Sequence, residues 1–112
     1  MHLKQQFQQD MRVAMLAQDQ GRVNVIRMLL AAFEHAQEAM GKQAFDAFGS
    51  DVNNIQLDRY QTLSKETIQD IIRNEMHSRR EAADLFRAGG ESKRAESEET
   101  EIAILEDYLT RI

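Results

Sequence analysis

Apolar side chains recur with the period of an α-helix through most of this sequence, and this repeat limits the folds open to the chain. In four segments they return every three or four residues, which places them along one face of a helix. The sequence contains no proline, so no segment is barred from helical geometry. The repeats predict helices over residues 3–17, 22–40, 65–88 and 93–109.

Short breaks divide these helices into two pairs. Asp19-Gln20-Gly21 interrupts the first repeat, and Gly21 is a plausible stop for the first helix. Gly41 follows the second repeat as its expected C-terminal cap, and Gly89-Gly90 ends the third. Helices joined by short connections pack antiparallel. The sequence therefore predicts an all-α fold, a small multihelical domain built from two helical hairpins.

The remaining local signals concern helix starts and the middle of the chain. Ser64 is placed to cap the helix over 65–88, and Ser92 to cap the last helix. Residues 42–62 have the weakest helical repeat and contain turn signals such as Asn53-Asn54. We expect a short helix and a structured loop there, inserted between the two hairpins.

The four apolar faces also predict which side chains meet in the core. Four amphipathic helices of this length bury enough apolar surface for a normal net stability, on the order of 5–10 kcal/mol. We expect the following residues to be buried together: Phe7, Ile26, Leu30, Phe33, Ile72, Met76, Phe86, Ile102 and Leu105.

Composition excludes several classes of protein. The sequence has no cysteine, so it contains no disulfide framework, no thiolate zinc site and no cysteine nucleophile. The longest apolar run, Met28–Phe33, has six residues, whereas a membrane-spanning helix needs about 20. The N-terminus lacks the apolar core of a signal peptide. We therefore expect no membrane association and a cytoplasmic location by default.

The charge distribution bears on nucleic-acid binding. The formal net charge is −5, and residues 91–112 carry three basic and seven acidic side chains. Proteins bind nucleic acid largely by neutralising phosphates with clustered lysines and arginines. An acidic end opposes such contact, so we expect no tight tRNA binding by this chain alone.

No residue pattern points to catalysis. The three histidines, His2, His35 and His77, lack both the metalloprotease spacing and the Glu-x-x-His spacing of di-iron bundles. His35 with Glu38, and His77 with Glu81, each fit a solvated pair on one helix better than a metal site. A nucleophile motif and a glycine-rich phosphate loop are also missing. We predict no catalytic, metal-binding or cofactor-binding residue.

Arginines are the remaining candidates for a functional contact. Arg73, Arg80 and Arg87 are spaced by seven residues and so share a stripe of the third predicted helix. Acidic residues interleave with them at ion-pair spacing, which favours salt bridges within the fold over an exposed basic surface. The alternative is contact with an anion or a partner, for which the candidates are Arg22, Arg27, Arg73, Arg79, Arg80 and Arg87.

Several segments, taken in order and spacing, resemble a known family. The first runs from Leu3 through Asp10-Met11, Ala14-Met15, Asp19 and Arg22 to Ile26-Arg27-Met28-Leu29. The others are Leu63-Ser64 before a helix carrying Glu75, Arg79 and Phe86, then Ala88-Gly89, then Glu101-Ile102 and Ile104-Leu105-Glu106-Asp107-Tyr108-Leu109. Together they are similar to the N-terminal helical domain of YqeY-like proteins, the GatB/YqeY-related family. Residues 34–62 stand outside the likeness and look longer than the family's connection.

The resemblance implies a single helical domain over residues 1–112. Family members usually continue past the final Tyr-Leu with a proline and a second small domain similar to the tail of the GatB amidotransferase subunit, where tRNA contact is expected. Thr110 stands in the place of that proline, and we expect the second domain to be absent. The family is associated with carbon–nitrogen ligation using glutamine as the amide nitrogen donor.

Two functional readings follow, and a third is disfavoured. The resemblance favours a non-catalytic accessory domain linked to glutamine-dependent tRNA amidotransferases, with amidotransferase subunits or, indirectly, tRNA as partners. The alternative is a general helical protein–protein interaction module without any tRNA link. Since no catalytic residues are visible, an enzyme is the least favoured reading, and the oligomeric state stays open.

Overall fold

The computed structural model describes residues 3–48 and 63–112, with side chains described over 3–43 and 63–112. This part of the chain consists of helices and their connections, and it contains no strand. The prediction of an all-α fold is therefore confirmed. The helices are α1 (Leu3–Leu16), α2 (Gln20–Phe48), α3 (Lys65–Ala88) and α4 (Ser92–Arg111).

The connection between α1 and α2 turns at a residue other than the predicted glycine. Gln18 adopts a positive φ of 57°, and Gly21 lies inside the first turn of α2. Asp19 is the N-cap of α2, because its side-chain Oδ1 accepts from the backbone N–H of Arg22 at 3.2 Å. The prediction of Gly21 as a helix stop was wrong, since the Asp19 carboxylate caps the helix one residue before Gln20.

The second helix is longer than predicted. It passes through Gly41 without a break and continues to Phe48, so the predicted end at residue 40 was wrong. A single glycine inside a helix costs only about 1 kcal/mol relative to alanine, which does not end a helix when the flanking residues favour it. Residues 42–48, predicted as part of a short helix and loop, extend α2 instead, and residues 49–62 of that prediction lie outside the described residues.

The third and fourth helices form a hairpin with a tight turn. The Oγ atom of Ser64 accepts from the backbone N–H of Thr67 at 3.1 Å, which confirms the predicted N-cap of α3. Gly90 has a φ of 76°, a conformation that L side chains rarely adopt, and it closes the turn after α3. Ser92 was wrongly predicted as a cap: it is the first residue of α4, and Glu91 before it makes no side-chain capping bond.

The core lies where α1 and α2 cross the α3–α4 hairpin. Of the nine predicted core residues, Phe7, Ile26, Phe33, Ile72 and Leu105 belong to the main buried cluster, which also contains Val25, Leu29, Ile68, Ile104 and Tyr108. Leu30 and Met76 pack at its margin, and Ile102 is buried outside it. Phe86 was wrongly placed in the core: it is half-buried near the hairpin turn, where the Arg94 guanidinium lies 5.8 Å from its ring centroid.

Aromatic contacts join three helices across this core. The ring of Phe7 in α1 lies 5.6 Å from that of Phe33 in α2 and 4.7 Å from that of Tyr108 in α4, measured between centroids. Both pairs are tilted, which is a favourable geometry for aromatic rings. The N-terminal helix is thus packed directly against the C-terminal one.

Candidate functional site

The arginines of helix α3 differ in burial. Arg79 is buried against α4, whereas Arg73, Arg80 and Arg87 are exposed, and Arg87 pairs with Glu99 of α4. The interleaved acidic residues of α3 provide only part of the pairing, since Arg73 lies 3.2 Å from Asp70 on the same helix. The other pairs are formed across the hairpin, between residues distant in the sequence.

Arg79 is the centre of a buried polar cluster. Only 7% of the residue is exposed, and its Nη1 donates to Oε2 of Glu101 at 2.5 Å. Oε2 of Glu98 lies 3.6 Å from the same nitrogen, and Nη2 lies 2.8 Å from the sulfur of Met28. Arg79, Glu101, Glu98 and Met28 form what we term the Arg79 cluster, and it joins α2, α3 and α4.

The charges of the Arg79 cluster are balanced unevenly. Burial raises the pKa of Glu101, the Arg79 guanidinium opposes that rise, and the neighbouring Glu98 adds to it. The Nε atom of Arg79 is buried without a hydrogen-bond partner in the described part of the chain. The ion pairs of Arg79 with Glu101 and Glu98 join α3 to α4.

The other candidate arginines are spread over the surface. Arg87 Nε donates to Oε1 of Glu99 at 2.9 Å, and Arg22 lies 3.6 Å from Asp19. Arg27 and Arg80 are exposed, and neither forms an ion pair within the described residues. Of the six predicted arginines, Arg27 and Arg80 are thus the exposed ones without an ion pair among the described residues, whereas Arg79 lies inside the fold.

A second polar contact was missed by the sequence reasoning. The Tyr108 hydroxyl donates to Oδ2 of Asp10 at 2.7 Å. Burial, with the Asp10 carboxylate, raises the pKa of Tyr108 to about 12. Because Asp10 and Tyr108 are far apart in the sequence, no spacing pattern predicts their contact. Both residues appeared in the sequence analysis only as members of the segments that resemble the family.

One of the two predicted histidine–glutamate pairs is present in the structure, that of His77 with Glu81. His77 Nε2 lies 2.8 Å from Oε1 of Glu81, and both side chains are largely exposed. His35 is exposed on α2. Within the described residues, no group of three or more His, Cys, Asp or Glu side chains is arranged to hold a metal ion.

A concave groove lies between α1, α2 and the start of α3, and we term it the N-terminal groove. It has a volume of about 560 Å³. Its apolar side chains are Leu3, Leu30, Phe33, Leu63 and Ile68, and its polar ones are Lys4, Gln8, Glu34, Gln37 and Lys65. None of the predicted arginines is among the described residues that line the groove, and no sequence spacing indicated it because three separate segments form it.

Comparison with known proteins gives one family. The profile of the family described as Yqey-like protein matches residues 35–111, more than half of the chain. The matched range includes residues 35–62, which lay outside the resemblance noted in the sequence. It does not include the N-terminal segment Leu3–Leu29, and the resemblance of that segment to the family stays a prediction. No curated protein matches the chain.

The helices were also compared with the requirements for crossing a membrane. None of the described helices combines the length and the apolar composition that a membrane span requires.

Proposed function

Because the chain belongs to the YqeY-like family, we propose that it is a non-catalytic accessory domain that works through protein contacts alongside glutamine-dependent tRNA amidotransferases. The family match over residues 35–111 is the observation that carries this proposal. The association of the family with glutamine-dependent amide transfer supplies the partner class. Under this proposal the catalytic steps belong to other subunits.

The disposition of polar groups supports a binding role over a catalytic one. The most buried charged residues, Arg79 and Glu101, are paired with each other between helices. Active sites commonly place perturbed titratable groups in a cleft, whereas the Arg79 cluster is enclosed between helices. The polar residues described in the lining of the N-terminal groove, in turn, are lysines, glutamines and one glutamate.

The outer face of α1 is the surface that best suits a protein partner. Val13 is 60% exposed and Leu16 is 87% exposed, and their spacing of three puts them on one side of the helix. Exposed apolar side chains that lie together are a common feature of interaction sites. Arg12 lies beside them, so a partner with an apolar patch and a neighbouring acidic group would fit.

An affinity experiment tests the proposal. The tagged chain is incubated with native lysate, with and without nuclease, and retained amidotransferase subunits are quantified. We expect retention in both conditions, and we expect Val13→Glu with Leu16→Glu to abolish it. The matched control, Ser97→Glu with Ala103→Glu, adds the same charge at exposed positions of α4 and should retain the subunits.

The outcomes separate the proposal from its alternative. Retention lost on nuclease treatment would indicate that tRNA bridges the two proteins. Retention of other proteins, without any amidotransferase subunit, would overturn the amidotransferase link. It would favour a general helical protein–protein interaction module, which the exposed face of α1 equally suits.

A further inference from the structure

The N-terminal groove combines an apolar floor with a polar rim. Phe33 and Ile68, which line it, belong to the core and are 8% and 6% exposed. Leu30 and Leu63 pack against that core and extend the floor. The volume of about 560 Å³ falls within the range of roughly 300–1,000 Å³ that is typical of small-molecule sites. A bound apolar chain would therefore rest on a surface continuous with the core.

The rim carries an excess of positive charge. Lys4 from α1 and Lys65 from α3 line the groove, and both are exposed. Neither is within ion-pair distance of an acidic side chain in the part of the chain that the structure describes. Lys65 is also the first residue of α3, where the helix dipole adds partial positive charge. Among the described residues of the lining, Glu34 is the single acidic one.

We propose that the N-terminal groove binds a free fatty acid of medium chain length. The hydrocarbon chain lies on Phe33 and Ile68, and the carboxylate is held by Lys4 and Lys65. One carboxylate matches the excess of one positive charge that two lysines and Glu34 leave. A second negative charge on the ligand would meet Glu34, so a monoanion is preferred over a phosphate-bearing lipid. This role is independent of the proposed accessory function.

The charge of the rim also argues against attachment to a membrane surface. A lysine contributes only about 1 kcal/mol to binding at an anionic membrane, so two lysines opposed by Glu34 give little attraction. The apolar floor lies between three helices, where a single chain can reach it. The groove therefore suits one enclosed ligand better than a lipid surface.

Isothermal titration calorimetry with dodecanoate tests the proposal. We expect saturable binding of one dodecanoate per chain, and a loss of affinity of at least tenfold in Lys4→Glu and in Lys65→Glu. Both substitutions put a glutamate in the first turn of a helix, where the dipole favours it, so the fold should be retained. Circular dichroism of each variant checks that it is.

Lys93→Glu is the matched control. Lys93 is the second residue of α4, as Lys4 is the second residue of α1, and it is exposed outside the groove. It should bind dodecanoate like the unmodified chain, and a tenfold loss there would overturn the proposal by showing a response to net charge alone. Glu34→Gln, which removes the opposing charge, should bind at least as tightly, and weaker binding would contradict the assigned charge balance.

Two further ligands and one lipid sample distinguish the alternatives. Dodecanol has the same chain without the carboxylate, and dodecyltrimethylammonium reverses the charge. We expect both to bind at least tenfold more weakly than dodecanoate, and equal binding of either would overturn the role of the lysines. Sedimentation with vesicles containing anionic phospholipid should leave the chain in solution. Co-sedimentation that Lys4→Glu and Lys65→Glu abolish would assign the groove to a lipid surface instead.

Discussion

Tyr108 and Asp10, which are 98 positions apart, are joined by a hydrogen bond of 2.7 Å from the tyrosine hydroxyl to the aspartate Oδ2. The contact connects α4 to α1. The ring of Tyr108 packs on Phe7 at the same place, and the residue is 3% exposed. A polar bond and an aromatic contact thus hold the first helix to the last.

Removing the Tyr108 hydroxyl should weaken the fold. A hydrogen bond to an ionised group contributes roughly 1.5–3 kcal/mol, so we expect Tyr108→Phe to lower the free energy of unfolding by about 1.5 kcal/mol. Urea denaturation measures the change. In an Asp10→Ala background the same substitution should cost much less, and an equal cost in both backgrounds would show that the two residues are not coupled.

The raised pKa of Tyr108 predicts a loss of stability in alkali. An unperturbed tyrosine has a pKa near 10, whereas that of Tyr108 in the folded chain is about 12. The folded state therefore favours the protonated hydroxyl, and its contribution is complete below pH 10 and is lost as the pH rises toward 12. The stability difference between the unmodified chain and Tyr108→Phe should shrink across that range. A constant difference would contradict the burial of this hydroxyl.

The Arg79 cluster predicts a strongly asymmetric response to substitution. Arg79→Met leaves the buried Glu101 without its cation, which should cost about 3–5 kcal/mol of unfolding free energy. Replacing both partners, with Arg79→Met and Glu101→Leu, should cost less than Arg79→Met alone, because the buried carboxylate is then removed together with its cation and only the partly exposed Glu98 remains. Arg80→Met, at an exposed position of the same helix, should change stability by no more than about 0.5 kcal/mol. Thermal and urea unfolding of the three variants checks this order.

The four helices of the described residues occur in the predicted order, because helix propensity and apolar spacing are local properties. The bounds of α3 were predicted correctly, since Ser64 and Gly89-Gly90 act on the adjacent turns. The prediction for Gly41 was wrong because a glycine permits a helix end without requiring it. The continuation of α2 depends on flanking residues that outweigh one glycine.

The polar contacts could not be predicted in the same way, because they depend on how the helices pack. Salt bridges within the fold were the favoured prediction for the α3 arginines, but the sequence did not indicate that the packing of α4 would bury Arg79 against Glu101. Arg79 lies two helical turns before Phe86 in a charge-rich helix, and this position does not indicate that its side chain is buried. Tyr108 and Asp10, likewise, come together only through the approach of α4 to α1. Sequence spacing reaches about one helical turn, whereas these pairs span 22 and 98 residues.

Core truncations test the packing of the helices. Phe33→Ala and Leu105→Ala each remove a side chain that is at most 8% exposed, and each should cost about 2–5 kcal/mol of unfolding free energy. Leu85→Ala is the control, because Leu85 is 74% exposed and its truncation should have little effect. Unchanged melting temperatures for Phe33→Ala and Leu105→Ala would mean that a different face of these helices is buried.

Binding of tRNA by this chain alone should be weak. The net charge is −5, and Arg73, Arg79 and Arg87 are each paired with acidic residues of the fold, so few counterions would be released on contact. Filter binding at about 150 mM salt, where weak surface attraction is largely screened, measures this. Sub-micromolar affinity would contradict the expectation, and Arg27→Glu and Arg80→Glu would then identify the accessible contacts.

The packing of Phe7 against Phe33 and Tyr108 bears on how much chain is needed for autonomous folding. The family match begins at residue 35, but Phe7, Ile26, Leu29 and Phe33 of the core all precede it. A fragment limited to residues 35–111 would expose Tyr108 and Leu105 to water. Such a fragment should aggregate or remain partly unfolded, because the cooperative unit includes both N-terminal helices. Expression of the matched family region without its N-terminal flank would therefore remove half of the residues of the main buried cluster.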